Sequence, residues 1–221
     1  MLEKEKNNTI NIPLKNVILK GSLHLTENAQ GLVMFSHGSG SSRLSPRNNY
    51  VANILHQKGL ATLLFDLLTE REDDNYETRF NIELLTQRLI ATTKWVLQLK
   101  ETKGLSLGYF GSSTGAASAL KAAAFFKNTI KAVVSRGGRP DLALSEIPEV
   151  TAPTLFIVGG KDTTVIDLNI QAYAKIECER KLEIVPGATH LFEEQGKLEE
   201  VAELSATWFK KWLITKIDKN V

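Results

Sequence analysis

The chemistry in this chain starts from the stretch GYFGSSTGAASAL, residues 108–120. Two adjacent serines lie between glycines where a strand-like run, LSLGYF, meets the alanine-rich, helix-favouring AASALKAAAFF. Gly111-Ser112-Ser113-Thr114-Gly115 reads G-x-S-x-G with Ser113 at its centre. A strand that turns straight into a helix forces its pivot residue into a strained conformation, and small residues two positions to either side avoid collisions. The turn lifts the Ser113 hydroxyl above the strand ends, and the helix aims its first amides and partial positive charge at the same place. The five residues also suit a plain helix entry with Ser112 or Ser113 as N-cap. Partners elsewhere must decide between the two readings.

A serine hydroxyl attacks poorly until a base takes its proton. Of the four histidines, His24 falls in an early strand candidate and His56 inside the first helical segment, where packing or surface roles suit them. His37 follows the GLVMFS run. His190, in VPGATHLFEEQG, stands just past the last strand candidate, LEIVP, and before the last helix. Loops at the carboxyl ends of parallel strands converge on one crevice, so His190 can approach Ser113.

A carboxylate at a third strand end would orient the imidazole. Asp162, just past LFIVGG, is the leading candidate, although it could instead cap the helix starting near Thr163, where Thr164 and Asp167 resemble a capping box. Asp141 in SRGGRPDLA is its rival, and Asp66 after ATLLF is a more distant one. Acyl transfer also develops negative charge on a carbonyl oxygen. FSHGSGSS places glycines where backbone can approach closely, so the Ser39 amide could join that of Thr114 as an oxyanion hole; a flexible glycine turn is the plain alternative. Arg136 and Arg139 follow a strand whose carboxyl end faces the same crevice. Either could grip a substrate carboxylate or phosphate, or pair with Asp141 and brace the loop.

The elements that must carry these residues are regular. After strand candidates at TINIPL and VILKGSLHL, apolar runs alternate with helical patterns: GLVMFS, ATLLFD, LSLGYF, KAVVSR, APTLFIVGG and LEIVP. That alternation predicts parallel strands joined by crossover helices. SPRNNYVANILHQKGL has Ser45 as N-cap, Pro46 at the first helical position and Gly59 at the end. Leu85, Leu89, Val96 and Leu99 form one helical stripe, and Val201, Leu204, Trp208 and Trp212 another. The charged TEREDDNYETR reads as a solvated loop. Only GRPDLALSEIPEVT separates KAVVSRG from APTLFIVGG, too little for a helical lid, so the crevice is expected to be shallow and to favour small acyl groups.

At 221 residues and 43% hydrophobic, the chain can bury a substantial core as one domain, residues 1–221. Basic and acidic residues, 27 and 25, are spread along it, which argues against a nucleic-acid partner. No run is apolar enough for a membrane span and MLEKEKNNTI lacks a signal-peptide core, so a soluble cytoplasmic protein is expected. The lone Cys178 leaves no internal disulfide or multi-cysteine metal site, and the histidine spacing suggests no cofactor or metal.

Together SHGSGSS, GYFGSSTGAA, VVSRGGRPDLA, IVGGKD and GATHLFEE resemble the dienelactone hydrolase-like branch of the α/β hydrolases over nearly the whole chain. The resemblance implies an eight-stranded, mostly parallel sheet flanked by helices, with its second strand antiparallel. It also implies Ser113 as nucleophile, Asp162 as acid and His190 as base, an order along the chain that fits this fold. Dienelactone hydrolase proper uses a cysteine nucleophile, so the lactone substrate does not carry over. VVSRGGRPDLA is also similar to a hydrolase segment sometimes joined to phosphoribosyltransferase domains, for which this length leaves no room. The expectation is a serine hydrolase acting on a small ester, lactone or thioester. A non-hydrolytic small-molecule-binding member of the fold and a scaffold protein are the alternatives, the latter without an apolar or charged block in the sequence to support it.

Overall fold

The computed structural model describes residues 9–214. Eight strands form one sheet: β1 Thr9–Pro13, β2 Ile18–His24, β3 Gly31–Ser36, β4 Ala61–Phe65, β5 Ser106–Ser112, β6 Ile130–Arg136, β7 Thr154–Gly159 and β8 Arg180–Val185, in the order β1-β2-β4-β3-β5-β6-β7-β8. β2 runs antiparallel to both β1 and β4, and every pairing from β4 to β8 is parallel. The order reverses at β3, so the crossovers leave the ends of β3 and β5 beside each other at the centre, where ligands gather in such sheets.

Alternating side chains feed two cores. Leu32, Met34, Tyr109 and Val133 face α3 (Ile82–Val96), α4 (Thr114–Phe126) and α5 (Thr163–Lys175). Val33, Phe35, Phe110 and Val134 face α1 (Pro46–Gln57) and α6 (Lys197–Leu213). Both sides of β3 to β7 are thus buried, which is why these strands read as continuous apolar runs rather than alternating ones. α4 lies against the sheet centre with Ala116, Ala117, Ala119, Ala122 and Ala123 fully buried, the small side chains allowing close approach. Ser45 caps α1 as expected, accepting a hydrogen bond from the Asn48 amide at 3.3 Å, and Gly59 takes a left-handed φ of 81° past its end.

Two expectations change. TEREDDNYETR is not a plain loop: Thr69 and Glu72 close a reciprocal capping box on a short helix, α2 (Glu70–Asp73), and Glu72 pairs with Arg88 of α3 at 2.6 Å. Thr69-x-x-Glu72 is the spacing of a capping box, which starts a helix even in a highly charged segment. Leu99 does not extend the α3 stripe, because the helix ends at Val96, whose carbonyl accepts from the Thr102 hydroxyl at 2.6 Å as the chain turns away. Between β6 and β7, residues 137–153 form only two short 3-10 turns, so no lid domain is inserted there. Among the described residues no helix is long and apolar enough to cross a membrane.

Candidate active site

The join between β5 and α4 is a sharp elbow with Ser113 at its tip, at φ 51° and ψ −122°. A non-glycine residue with such backbone angles costs on the order of 1–3 kcal/mol and persists only where its surroundings enforce it. Here the Ser113 amide donates to the Arg136 carbonyl at 3.1 Å, and its carbonyl accepts from the amides of Ala116 and Arg139 at 3.1 and 3.0 Å. A Cβ on Gly111 would stand 2.5 Å from Ala116 Cα, and one on Gly115 would stand 2.1 Å from the Ser36 carbonyl oxygen. Neither serine caps the helix. Ser113 makes no capping bond, and Ser112 donates its hydroxyl to Asn48 Oδ1 of α1 at 3.0 Å. Asn48 had no signature in the sequence that would have marked it.

His190 sits in the loop after β8, within a turn closed by the Phe192 amide on the Thr189 carbonyl at 3.2 Å. The Glu194 carboxylate accepts from the Thr189 amide at 3.0 and 3.1 Å, tying down the same loop. His190 Nε2 lies 3.3 Å from Ser113 Oγ, and its Nδ1 lies 2.6 Å from Asp162 Oδ2. An ionised carboxylate only accepts, so Nδ1 carries the proton of the neutral ring and Nε2 presents a lone pair to the serine hydroxyl.

The three candidate acids separate cleanly. Asp162 occupies the N-cap position of α5 but makes no side-chain capping bond, and the Thr164–Asp167 capping box does not form; its carboxylate is directed at His190 instead. Asp141 accepts from Nε and Nη2 of the Arg139 guanidinium, each at 2.8 Å. Asp66 accepts from the Arg43 amide at 2.7 Å and from Arg43 Nη1 at 2.5 Å.

Ser39 and Thr114, whose amides were expected to form an oxyanion hole, meet in an arrangement that the sequence did not suggest. The Ser39 amide donates to Thr114 Oγ1 at 2.8 Å, so Ser39 and Thr114 are joined directly. Thr114 opens α4, where its own amide has no acceptor within the helix. His37, 5% exposed, donates from Nδ1 to the Gly38 carbonyl and accepts the Leu67 amide on Nε2, and burial lowers its pKa; it is a neutral strap holding this loop against the end of β4. A cavity of about 490 Å³ opens beside the loop, bounded by His37, Ser41, Arg43, Asp66 and Leu68. None of Ser113, Asp162 and His190 lines it.

The two arginines differ. Arg139 is braced by Asp141. Arg136 is 5% exposed and, among the described residues, has no carboxylate partner: Nη2 is 3.5 Å from Asn48 Oδ1 and the guanidinium lies 5.7 Å from the centre of the Phe192 ring. Burial, with the nearby charge of Arg47, pulls its pKa down to about 10, leaving it charged at neutral pH.

Residues 28–215 match the model of the dienelactone hydrolase family. The chain belongs to that family. A dienelactone hydrolase of Anabaena variabilis is 50% identical and superposes with a TM-score of 0.91, over 93% of this chain and 97% of that one. Est1E of Butyrivibrio proteoclasticus, 18% identical, has a TM-score of 0.80 over 92% of this chain and 98% of its own, a likeness of fold alone. Two curated relatives, from two strains of Mycobacterium tuberculosis, are named phosphoribosyl transferases and are 54% identical over 193 residues. That is 87% of this chain but 44% of theirs, so the chain spans less than half of the curated relatives it matches, and their name belongs to the longer proteins. This member of the dienelactone hydrolase family has a serine at the elbow, and its only cysteine, Cys178, lies past the end of α5 with its thiol on the Ala152 carbonyl.

Proposed function

We propose that this chain is a serine hydrolase that cleaves a small ester, lactone or thioester through an acyl-enzyme. The observation that carries the proposal is the unbroken hydrogen-bonded series from Ser113 Oγ through His190 to Asp162, mounted on a strained strand-to-helix turn. Ser113 Oγ attacks the acyl carbon while its proton passes to His190 Nε2, and Asp162 stabilises the imidazolium that forms. The electron pair of the carbonyl π bond moves to its oxygen, then returns as the leaving group departs with the proton from His190. Water then attacks the acyl carbon while its proton passes to His190 Nε2, and the imidazolium returns that proton to Ser113 Oγ as the ester bond to the serine breaks, releasing the acid.

The short 137–153 link supports a preference for compact, soluble acyl groups, because it provides no lid to shelter a long chain. A carboxylesterase of this kind should hydrolyse short-chain esters with higher kcat/KM than long-chain ones. The direct test is labelling with a fluorophosphonate probe. The wild-type chain should be labelled once per molecule and Ser113→Ala not at all; equal labelling of a folded Ser113→Ala preparation would move the nucleophile elsewhere.

A further inference from the structure

The contact between Ser39 and Thr114 bears on which groups are left free to donate to a developing oxyanion. With the Ser39 N–H directed at Thr114 Oγ1 at 2.8 Å, that amide is already engaged. Thr114 is 3% exposed, and among the described residues its hydroxyl accepts from Ser39 but donates no hydrogen bond. A hydroxyl that accepts through its oxygen still has its own proton to donate. Thr114 directly follows Ser113, its Cβ branch restricts χ1, and the incoming Ser39 bond restricts the rotor further.

We propose that the Thr114 hydroxyl, oriented by the Ser39 amide, is itself an oxyanion donor, so that Thr114 supplies both an N–H and an O–H to the carbonyl oxygen. The inference rests on the serine-hydrolase reading and deepens it. When the Ser113 Oγ–carbon bond forms and the carbonyl π pair moves onto oxygen, the Thr114 O–H donates to that oxygen without transferring its proton. The Ser39 N–H polarises the hydroxyl from behind, which strengthens it as a donor. No backbone movement is then needed to free the Ser39 amide as charge develops, and a preorganised donor is what such a site requires.

The opposite view, that Thr114 merely occupies the Ser39 amide until substrate displaces it, predicts the opposite result for one substitution. Thr114→Val keeps the shape and removes the hydroxyl. If the hydroxyl donates, kcat for p-nitrophenyl acetate falls on the order of 10²-fold with little change in KM, and Thr114→Ser recovers most of it. If it only blocks the amide, Thr114→Val matches or exceeds wild type, and the proposal is overturned. A loss caused by a displaced Ser39 loop is separated by comparing an ester with its thionoester, whose sulfur is a poor hydrogen-bond acceptor. Loss of an oxyanion donor lowers the oxo-to-thiono rate ratio by nearly the same factor as kcat. A loss that leaves the ratio unchanged, or that Thr114→Ser fails to recover, also overturns the proposal. A wild-type chain that neither turns over nor takes the fluorophosphonate would instead remove the serine-hydrolase reading, and this inference with it.

Discussion

A Cβ on Gly115 would stand 2.1 Å from the carbonyl oxygen of Ser36, so the first turn of α4 touches the end of β3 with no room for a methyl group. The Ser36 hydroxyl, 2.7 Å from that of Ser118, closes the same contact one turn further on. The elbow depends on this approach. Gly115→Ala should destabilise the fold by about 1–3 kcal/mol in denaturant unfolding, as overpacking does, and should weaken fluorophosphonate labelling by displacing Ser113. Unchanged stability and labelling would show that the contact yields easily.

The strain at Ser113 makes a separate prediction. Glycine adopts positive φ freely, so Ser113→Gly should unfold about 1 kcal/mol later than Ser113→Ala, while both are inactive. Equal stabilities measured by denaturant titration would mean that the backbone at φ 51° stores little energy.

Asp162→Asn should lower kcat by on the order of 10³–10⁴, because an amide can donate to Nδ1 and impose the wrong imidazole tautomer. Asp141→Asn should cost far less in rate. It breaks an ion pair whose arginine is 40% exposed, an interaction of at most about 1 kcal/mol in stability. Steady-state kinetics on one short-chain ester decide the matter, and a larger loss in Asp141→Asn would transfer the acid to the β6 loop.

Arg136 is buried against Phe192 and Asn48, which favours bracing over contact with substrate. Arg136→Met should therefore reduce kcat/KM for neutral and anionic esters by similar factors. A rise in KM confined to anionic esters would instead assign Arg136 to recognition of a substrate carboxylate or phosphate.

His56 stacks on His24 with ring centres 3.7 Å apart and hydrogen-bonds Thr62 through Nε2 at 2.7 Å. Burial, then the neighbouring His24 charge, lowers its pKa from 6.5 to about 4. The unfolded chain therefore takes up this proton first as pH falls. The stability His56 contributes is complete above about pH 6.5 and is lost progressively toward pH 4. His37 acts in the same direction. His56→Gln should flatten, without abolishing, the fall in Tm across this window, and parallel curves for variant and wild type would refute the assignment.

The sequence by itself determined the sheet and the position of the elbow, because each depends on signals a few residues long. Apolar runs mark strands buried on both faces, Gly111 and Gly115 mark a close approach, and Ser45-Pro46 marks a helix start. Family membership followed from the same stretches. The tertiary structure alone decided between chemically equal alternatives. Asp162, Asp141 and Asp66 all follow strands; the nearness of Arg139 to Asp141 in the sequence left their pairing open, and nothing local says that Arg43 engages Asp66, leaving Asp162 to face His190. Ser112 and Ser113 are the same side chain one residue apart; the G-x-S-x-G spacing favours Ser113, and the structure adds the physical cause, the pleat turning Ser112 to Asn48 and the elbow raising Ser113 toward His190. The engagement of the Ser39 amide by Thr114 and the burial of Arg136 without an acid among the described residues were equally illegible. Such pairings depend on distances of a few ångströms between strand ends, set by the order in which the strands lie in the sheet and by competition among side chains far apart along the chain.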